Sequence, residues 1–183
     1  MITKIIRKIS SFFRYMRIKN KHGNNMLCRG RIHFQKDTNI IIENGKMVFG
    51  KDVSFQTGVH ITAIDGGVFS IGDNCAINRY CVFICRKNIT IGDNVIFGPN
   101  VTIFDHDHKF NDAIIQRNDF NVGDIVIENG CWIGANVTIL RNTHIGENTI
   151  IGAGCVVKGN VPPHSLVTMD RTMVITPITK RKQ

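Results

Sequence analysis

Two different periods divide the chain. Over residues 2–17, Ile2, Ile5, Ile6, Ile9, Phe12, Phe13 and Met16 recur at helical spacing with lysine and arginine between them, which predicts an amphipathic α-helix. From about residue 30 that period is lost, and short β-branched segments punctuated by Gly and Asn replace it. Ile127, Ile133, Ile139, Ile145, Ile151 and Val157 recur every six residues without a slip. The same step runs through Phe49, Phe55 and Ile61, then Ile71, Ile77 and Phe83, then Ile91, Phe97 and Ile103, with short breaks between the blocks.

A six-residue step is too short for a helix-pair repeat and does not match a heptad. Glycine often follows the aliphatic (Gly50, Gly72, Gly92, Gly98, Gly134, Gly146, Gly152), and asparagine stands three positions after it (Asn74, Asn94, Asn100, Asn136, Asn142, Asn148, Asn160). Both residues tolerate positive φ and are expected to mark corners. A chain that turns a corner every six residues, with an aliphatic pointing inward each time, closes into a prism of short parallel strands. A second inward slot, four residues after each aliphatic, takes small or β-branched side chains: Val53, Val59, Cys75, Cys81, Val95, Val101, Cys131, Val137, Thr143, Thr149 and Cys155. Four of the six cysteines fall there and read as core residues rather than nucleophiles.

The rhythm stops at Asp105-His106-Asp107-His108 and resumes just before Trp132, the single tryptophan. Residues 104–124 are polar and too long for a tight corner, so a loop ejected from one coil is expected. If the strand continues through the motif, His106 and His108 point to one side and the two aspartates to the other. The spacing does not choose between the histidines. An imidazole suits a base that takes a proton from a hydroxyl near neutral pH, and no activated Ser or Cys stands beside the histidines in sequence. Cys131 and Ile133 occupy inward slots, so alternation turns Trp132 outward. Two other readings of the motif are a merely solvated loop and a His-x-His metal site. The second needs a third ligand, and His60 and His144 form no recognisable set with this pair.

The [Ile/Val/Phe]-Gly-x-Asn-x-Val hexads, traceable over about residues 48–163 and strongest from Ile71 to Pro163, resemble the hexapeptide-repeat acyltransferases. Within that group the chain is most similar to the galactoside- and maltose-type sugar O-acetyltransferases. Its Asp-His-Asp-His variant resembles members that acetylate surface polysaccharides. The resemblance implies an all-β fold, a left-handed parallel β-helix with three hexads per coil, which is an exception to the usual crossover hand. It implies a homotrimer whose ejected loop leans toward a neighbouring subunit, with acetyl-CoA as donor and a carbohydrate hydroxyl as acceptor.

Aligned without gaps from Thr90-Ile91-Gly92-Asp93-Asn94, the resemblance places His108 on the catalytic histidine, and the spacing from His108 to Trp132 agrees. His106 requires a two-residue shift; it or a flanking aspartate could instead orient His108. Asn78, in the corner slot after Ile77, reads either as a turn asparagine or, by the same alignment, as an acceptor-binding residue; Arg86 falls where the relatives carry an acceptor-binding aspartate, and Asp105 is a further acceptor candidate. Trp132, Gly134, Ala135 and Ala153 fall on cofactor positions. Ile151-Gly152-Ala153-Gly154 and Val161-Pro162-Pro163 match the closing coil. Lys158-Gly159-Asn160 and Met169-Asp170-Arg171-Thr172 depart from the segments that seat the CoA phosphates. Lys158, Arg171 and the Lys180–Lys182 tail could supply that charge instead.

Charge changes the picture at the termini only. Lys4, Arg7, Lys8, Arg14, Arg17, Lys19 and Lys21 come with no acid before residue 22, and Lys180, Arg181 and Lys182 close the chain. Together they exceed the net charge of +9, so residues 22–179 are near neutral and a nucleic-acid partner is not expected. There is no CxxC pair, secretory signal or long apolar run, which favours a reduced, cytoplasmic setting. The first helix has two readings: packing on the body or a neighbouring subunit, or peripheral contact of residues 2–17 with the inner face of an anionic membrane. The expected organisation is a basic amphipathic helix over 1–22, the β-helix over 23–163 with its loop at 104–124, and a tail over 164–183. No metal is expected. The alternatives to sugar acetylation are a non-sugar acceptor such as an antibiotic, or a non-catalytic trimeric β-helix scaffold.

Overall fold

The computed structural model describes residues 2–111 and 114–169. The inward aliphatics register one above another because each coil repeats the same inward positions. Ile71, Ile91, Ile127 and Ile145 stack on a first face of parallel strands. Phe55, Ile77, Phe97, Ile133 and Ile151 stack on a second. Ile61, Phe83, Ile103, Ile139 and Val157 stack on a third. Thr138–Ile145 turns a corner, lending its start to the third face and its end to the first. These residues, and every member of the small inward slot, are buried. Phe34, Phe49, Phe55, Phe69, Phe83 and Phe97 fill the early coils with ring centroids 5.1–6.4 Å apart, a spacing suited to edge and offset contacts.

The corners divide their work between two residue types. Asn74, Asn94, Asn100, Asn136, Asn142 and Asn148 adopt φ of 53–59°, which asparagine reaches at lower cost than other side chains. The glycine that follows each aliphatic does not need positive φ; it is there for closeness. A Cβ on Gly98 would sit 2.6 Å from the Ala135 nitrogen of the next coil. The expectation that both residues mark corners through positive φ is therefore corrected for these glycines.

The solenoid also runs past the expected boundary at 163. Leu166–Val167 pairs with Ile150–Ile151, so Val167 completes the second-face column and the tail begins later.

Helix α1 (Ile2–His22) closes the open end of the prism. Met26–Cys28, Ile32–Phe34 and Asn39–Glu43 are the terminal strands of the three faces, with unpaired edges that need covering. The Phe34 N–H donates to Ser11 Oγ at 3.0 Å, and Arg14 donates back to the Phe34 carbonyl at 3.3 Å. Lys19 reaches the Met26 carbonyl, and His22 lies 3.0 Å from the Ile40 carbonyl. Tyr15 and Ile18 pack on the core. The helix thus docks through its mixed face and leaves Ile6, Ile9, Phe12, Phe13 and Met16 exposed.

Gly98→Ala tests the close-approach role. It should destabilise the fold by about 1–3 kcal/mol, the usual cost of overpacking. Urea denaturation compared with wild type measures this, and an unchanged midpoint would remove the role assigned to that glycine.

Candidate active site

The insertion springs from the corner between the third and first faces. One coil spends 36 residues between register partners Ile91 and Ile127, where the next spends eighteen between Ile127 and Ile145. The surplus is a two-stranded antiparallel hairpin, His106–Asn111 with Ile114–Val122, rather than an irregular loop. Its base is closed by the Gly123 N–H donating to the Asp105 carbonyl at 2.8 Å.

Asp105 turns its side chain inward and is fully buried. Its carboxylate accepts the N–H of Arg86 at 2.9 Å and of Lys87 at 2.7 Å, from the corner of the coil below. It also lies 3.1 Å from His106 Nδ1. Burial alone would raise its pKa, but the His106 imidazole and the two amides outweigh that and hold the carboxyl below its ordinary value. A charged carboxylate can only accept, so His106 Nδ1 carries the proton. Burial and the neighbouring Asp105 push the Cys85 thiol up; burial likewise pushes Cys75 and Cys81 up to about 11. Such thiols are protonated at neutral pH, as expected of core residues.

The hairpin folds back so that His106, His108 and Phe120 face Thr62, Ile84 and Arg86 across a cavity of about 570 Å³. The His106 ring is wedged between Phe104 and Phe120, with centroids 6.3 and 5.5 Å away, and its side chain is 13% exposed. His108 is exposed and lies tilted 4.6 Å from the Phe120 ring. Its Nδ1 is 3.2 Å from the Gln116 carbonyl. A carbonyl only accepts, so this bond places the proton on Nδ1 and leaves the Nε2 lone pair free of it. Asp107 points the other way and accepts from Arg141 Nε at 2.7 Å.

The expectation that Asp105 touches an acceptor is corrected: a buried carboxylate committed to two amides and an imidazole has no surface to offer. Arg86 does line the cavity, but its guanidinium stacks 3.7 Å over Phe120 and pairs with Asp65. Its Nε is buried without a hydrogen-bond partner. Asn78 lies outside the cavity, at the corner after Ala76–Ile77, and its Oδ1 accepts the Arg79 N–H at 2.8 Å.

Trp132 is 53% exposed on the second face, in an outward apolar ladder with Ile96, Ile150 and Leu166. Gly134 and Ala135 follow it at the corner, where the ideal Cβ of Gly134 would lie 2.7 Å from the Ala153 nitrogen. Lys158 is instead on the third-face side, where its charge acts on Asp107. One chain therefore gathers the histidines and Arg86 on one face and Trp132, Gly134, Ala135 and Ala153 on another. Arg171 lies outside the described residues. Sequence reasoning missed Phe120, Thr62 and Asp65. A bulky aromatic within a mostly polar insertion was the available signal for Phe120, though Phe110 shares it; nothing pointed to the other two. Among the described residues no three His, Cys, Asp or Glu side chains are grouped as metal ligands.

Asp105→Asn leaves an amide where two N–H donors need an acceptor, and should cost about 1–3 kcal/mol. Because the folded pKa is depressed, the wild-type carboxylate's stabilisation is present above the unfolded value of about 3.9 and is lost as pH falls through the lower folded value. The variant should lack that component of acid destabilisation. Denaturant titrations of both proteins across that window measure it, and parallel pH profiles would contradict it.

Comparison with known proteins agrees with the fold. The family model for bacterial transferase hexapeptide (six repeats) matches residues 124–159. A putative lipopolysaccharide biosynthesis O-acetyl transferase, WbbJ of Escherichia coli K12, is 29% identical over 136 residues, 69% of each chain. The galactoside O-acetyltransferase of the same organism is 33% identical over 116 residues, 63% of this chain and 57% of that one. A solved hexapeptide-repeat acetyltransferase, VCA0836 of Vibrio cholerae O1 biovar eltor complexed with acetyl coenzyme A, aligns with TM-score 0.59 and 31% identity over 68% of this chain and 65% of that chain. AntD, an N-acyltransferase from Bacillus cereus, shares the fold at TM-score 0.69 but only 17% identity, over 82% of each chain. The chain thus spans 69% of the first relative and less than two thirds of the galactoside enzyme and of VCA0836. With its stacked hexads, parallel coils and ejected hairpin, the chain has the left-handed β-helix fold of the hexapeptide-repeat acetyltransferases that it resembles.

Proposed function

We propose that this acetyltransferase moves the acetyl group of acetyl-CoA onto a hydroxyl of a carbohydrate, a surface polysaccharide or its precursor, with His108 as general base. The observation that carries the reading is the pair of imidazoles held on one side of the hairpin over a polar cavity. His108 is the accessible member, with its Nδ1 proton committed to Gln116 and Nε2 left to act. Nε2 takes the acceptor proton as the hydroxyl oxygen attacks the thioester carbon. The tetrahedral adduct then collapses, the C–S bond breaks, and the imidazolium returns its proton to the CoA sulfur. No nucleophilic side chain is required, and burial keeps Cys75, Cys81, Cys85 and Cys131 protonated. His106, held by Asp105 and covered by Phe104 and Phe120, fixes the wall against which His108 and Phe120 stand. The likeness to WbbJ and to the galactoside enzyme supports a sugar hydroxyl as acceptor.

The separation of the histidines from Trp132 supports a homotrimer with active sites between subunits. The third face of one copy would stand beside the second face of the next, and the apolar ladder around Trp132 would border the pantetheine arm.

His108→Ala should lower kcat by about 10²–10⁴-fold, measured as acceptor-dependent thiol release from acetyl-CoA over a panel of glycans. His106→Ala should retain more turnover than His108→Ala; the reverse order would move the base to His106. Trp132→Ala should raise KM for acetyl-CoA with a smaller effect on kcat. At acetyl-CoA concentrations well below the raised KM of Trp132→Ala, mixed assemblies of His108→Ala and Trp132→Ala chains should turn over faster than either variant alone, because one wild-type pair of faces forms. Absence of complementation in assemblies of confirmed mixed composition would place each site within one chain.

A further inference from the structure

Helix α1 turns its apolar stripe away from the protein. The face that meets the prism carries Ser11, Arg14, Tyr15, Ile18 and His22. On the opposite side Ile6, Ile9, Phe12 and Phe13 are 53–66% exposed, and Met16 continues the stripe at 39%. This inverts the usual order of an amphipathic surface helix, whose apolar side faces the core. The stripe points outward from the capped end of the solenoid. Lys8 and Arg17 are exposed along its two borders, with Lys21 further along, and no acid occurs in residues 1–21. No helix among the described residues is long and apolar enough to cross a membrane.

We infer that α1 is an interfacial anchor that lays Ile6, Ile9, Phe12, Phe13 and Met16 into the surface of an anionic phospholipid membrane. The chemistry matches on both counts: bulky apolar side chains reach the acyl boundary while flanking lysine and arginine meet the phosphates. A second copy of the helix is the less suited occupant. Packing two such stripes together would bring their basic borders side by side with no acid to compensate. The docked face is already committed to the edge carbonyls and amide of the first coil, so the helix can engage lipid without leaving the prism. If the proposed trimer forms with its prisms side by side, all three stripes face the same way and bind one surface together, which multiplies a modest single-helix affinity.

The test uses the full chain in co-sedimentation with large unilamellar vesicles of phosphatidylcholine alone or with phosphatidylglycerol added. Wild type should bind the phosphatidylglycerol vesicles, bind the neutral ones far less, and release in high salt. Phe12→Ser with Phe13→Ser should weaken partitioning at least about tenfold. Lys8→Glu with Arg17→Glu should do so on anionic vesicles only. Both variants change exposed side chains, and an unaltered thermal midpoint verifies the fold. Wild type that ignores anionic vesicles, or a serine variant that binds as well as wild type, overturns the inference. Loss of self-association in the serine variant without vesicle binding by wild type would assign the stripe to a contact between copies instead. Acetyl transfer to a soluble glycan is read separately, so failure of the anchor and failure of the proposed reaction are distinguishable.

Discussion

The buried carboxylate of Asp105 holds the parts of the site to the parts of the scaffold. A prism of stacked coils has no natural place for an eighteen-residue excursion, because each corner leaves amides that must be satisfied from the coil above or below. At this corner a side chain takes that role. Asp105 accepts from Arg86 and Lys87 on one coil, gives its carbonyl to Gly123 where the chain returns, and fixes the Nδ1 proton of His106. Four groups from three segments converge on one residue. The charge is retained in a buried setting because donors surround it.

From that pivot the rest follows by alternation. His106 and His108 fall on the cavity side, while Asp107 falls on the other and finds Arg141. Phe120, on the returning strand, touches both imidazoles and lies under Arg86. The aromatic contact and the Arg86–Asp65 pair set the depth of the cavity. They shape the cavity from residues far apart in sequence, on two coils and both arms of the hairpin. The face that carries Trp132 obeys a different constraint: glycines at the second-face corner let successive coils approach closely, and outward positions along the adjoining strand form the ladder that includes Trp132.

The solenoid was legible because its signal is one-dimensional. A six-residue period in aliphatics such as Ile127 to Val157 translates directly into stacked inward positions, and the small slot holding Cys75, Cys131 and Cys155 comes with it. The division of labour at the corners was less legible, since glycine chosen for closeness and asparagine chosen for positive φ look alike as turn residues. Asp105 was misread because its partners are amides on another coil, which no local pattern reveals. The hairpin looked like a loop because its alternation is mostly polar on both faces and is broken by the register shift between His108 and Lys109. For the helix, periodicity identified the apolar stripe correctly but not its direction: the open edge of the first coil calls for hydrogen-bonding groups, and Ser11, Arg14 and His22 supply them from the opposite face.

The most direct measurement of the central claim is chemical rescue of the two histidine variants by exogenous imidazole, followed by thiol release from acetyl-CoA with an accepted glycan. A base that only removes and returns a proton can be replaced by a diffusible one, whereas a ring that positions its neighbours cannot. Turnover by His108→Ala should rise with imidazole concentration while that of His106→Ala stays flat. Rescue of His106→Ala alone would contradict the assignment and make the Asp105-held imidazole the base.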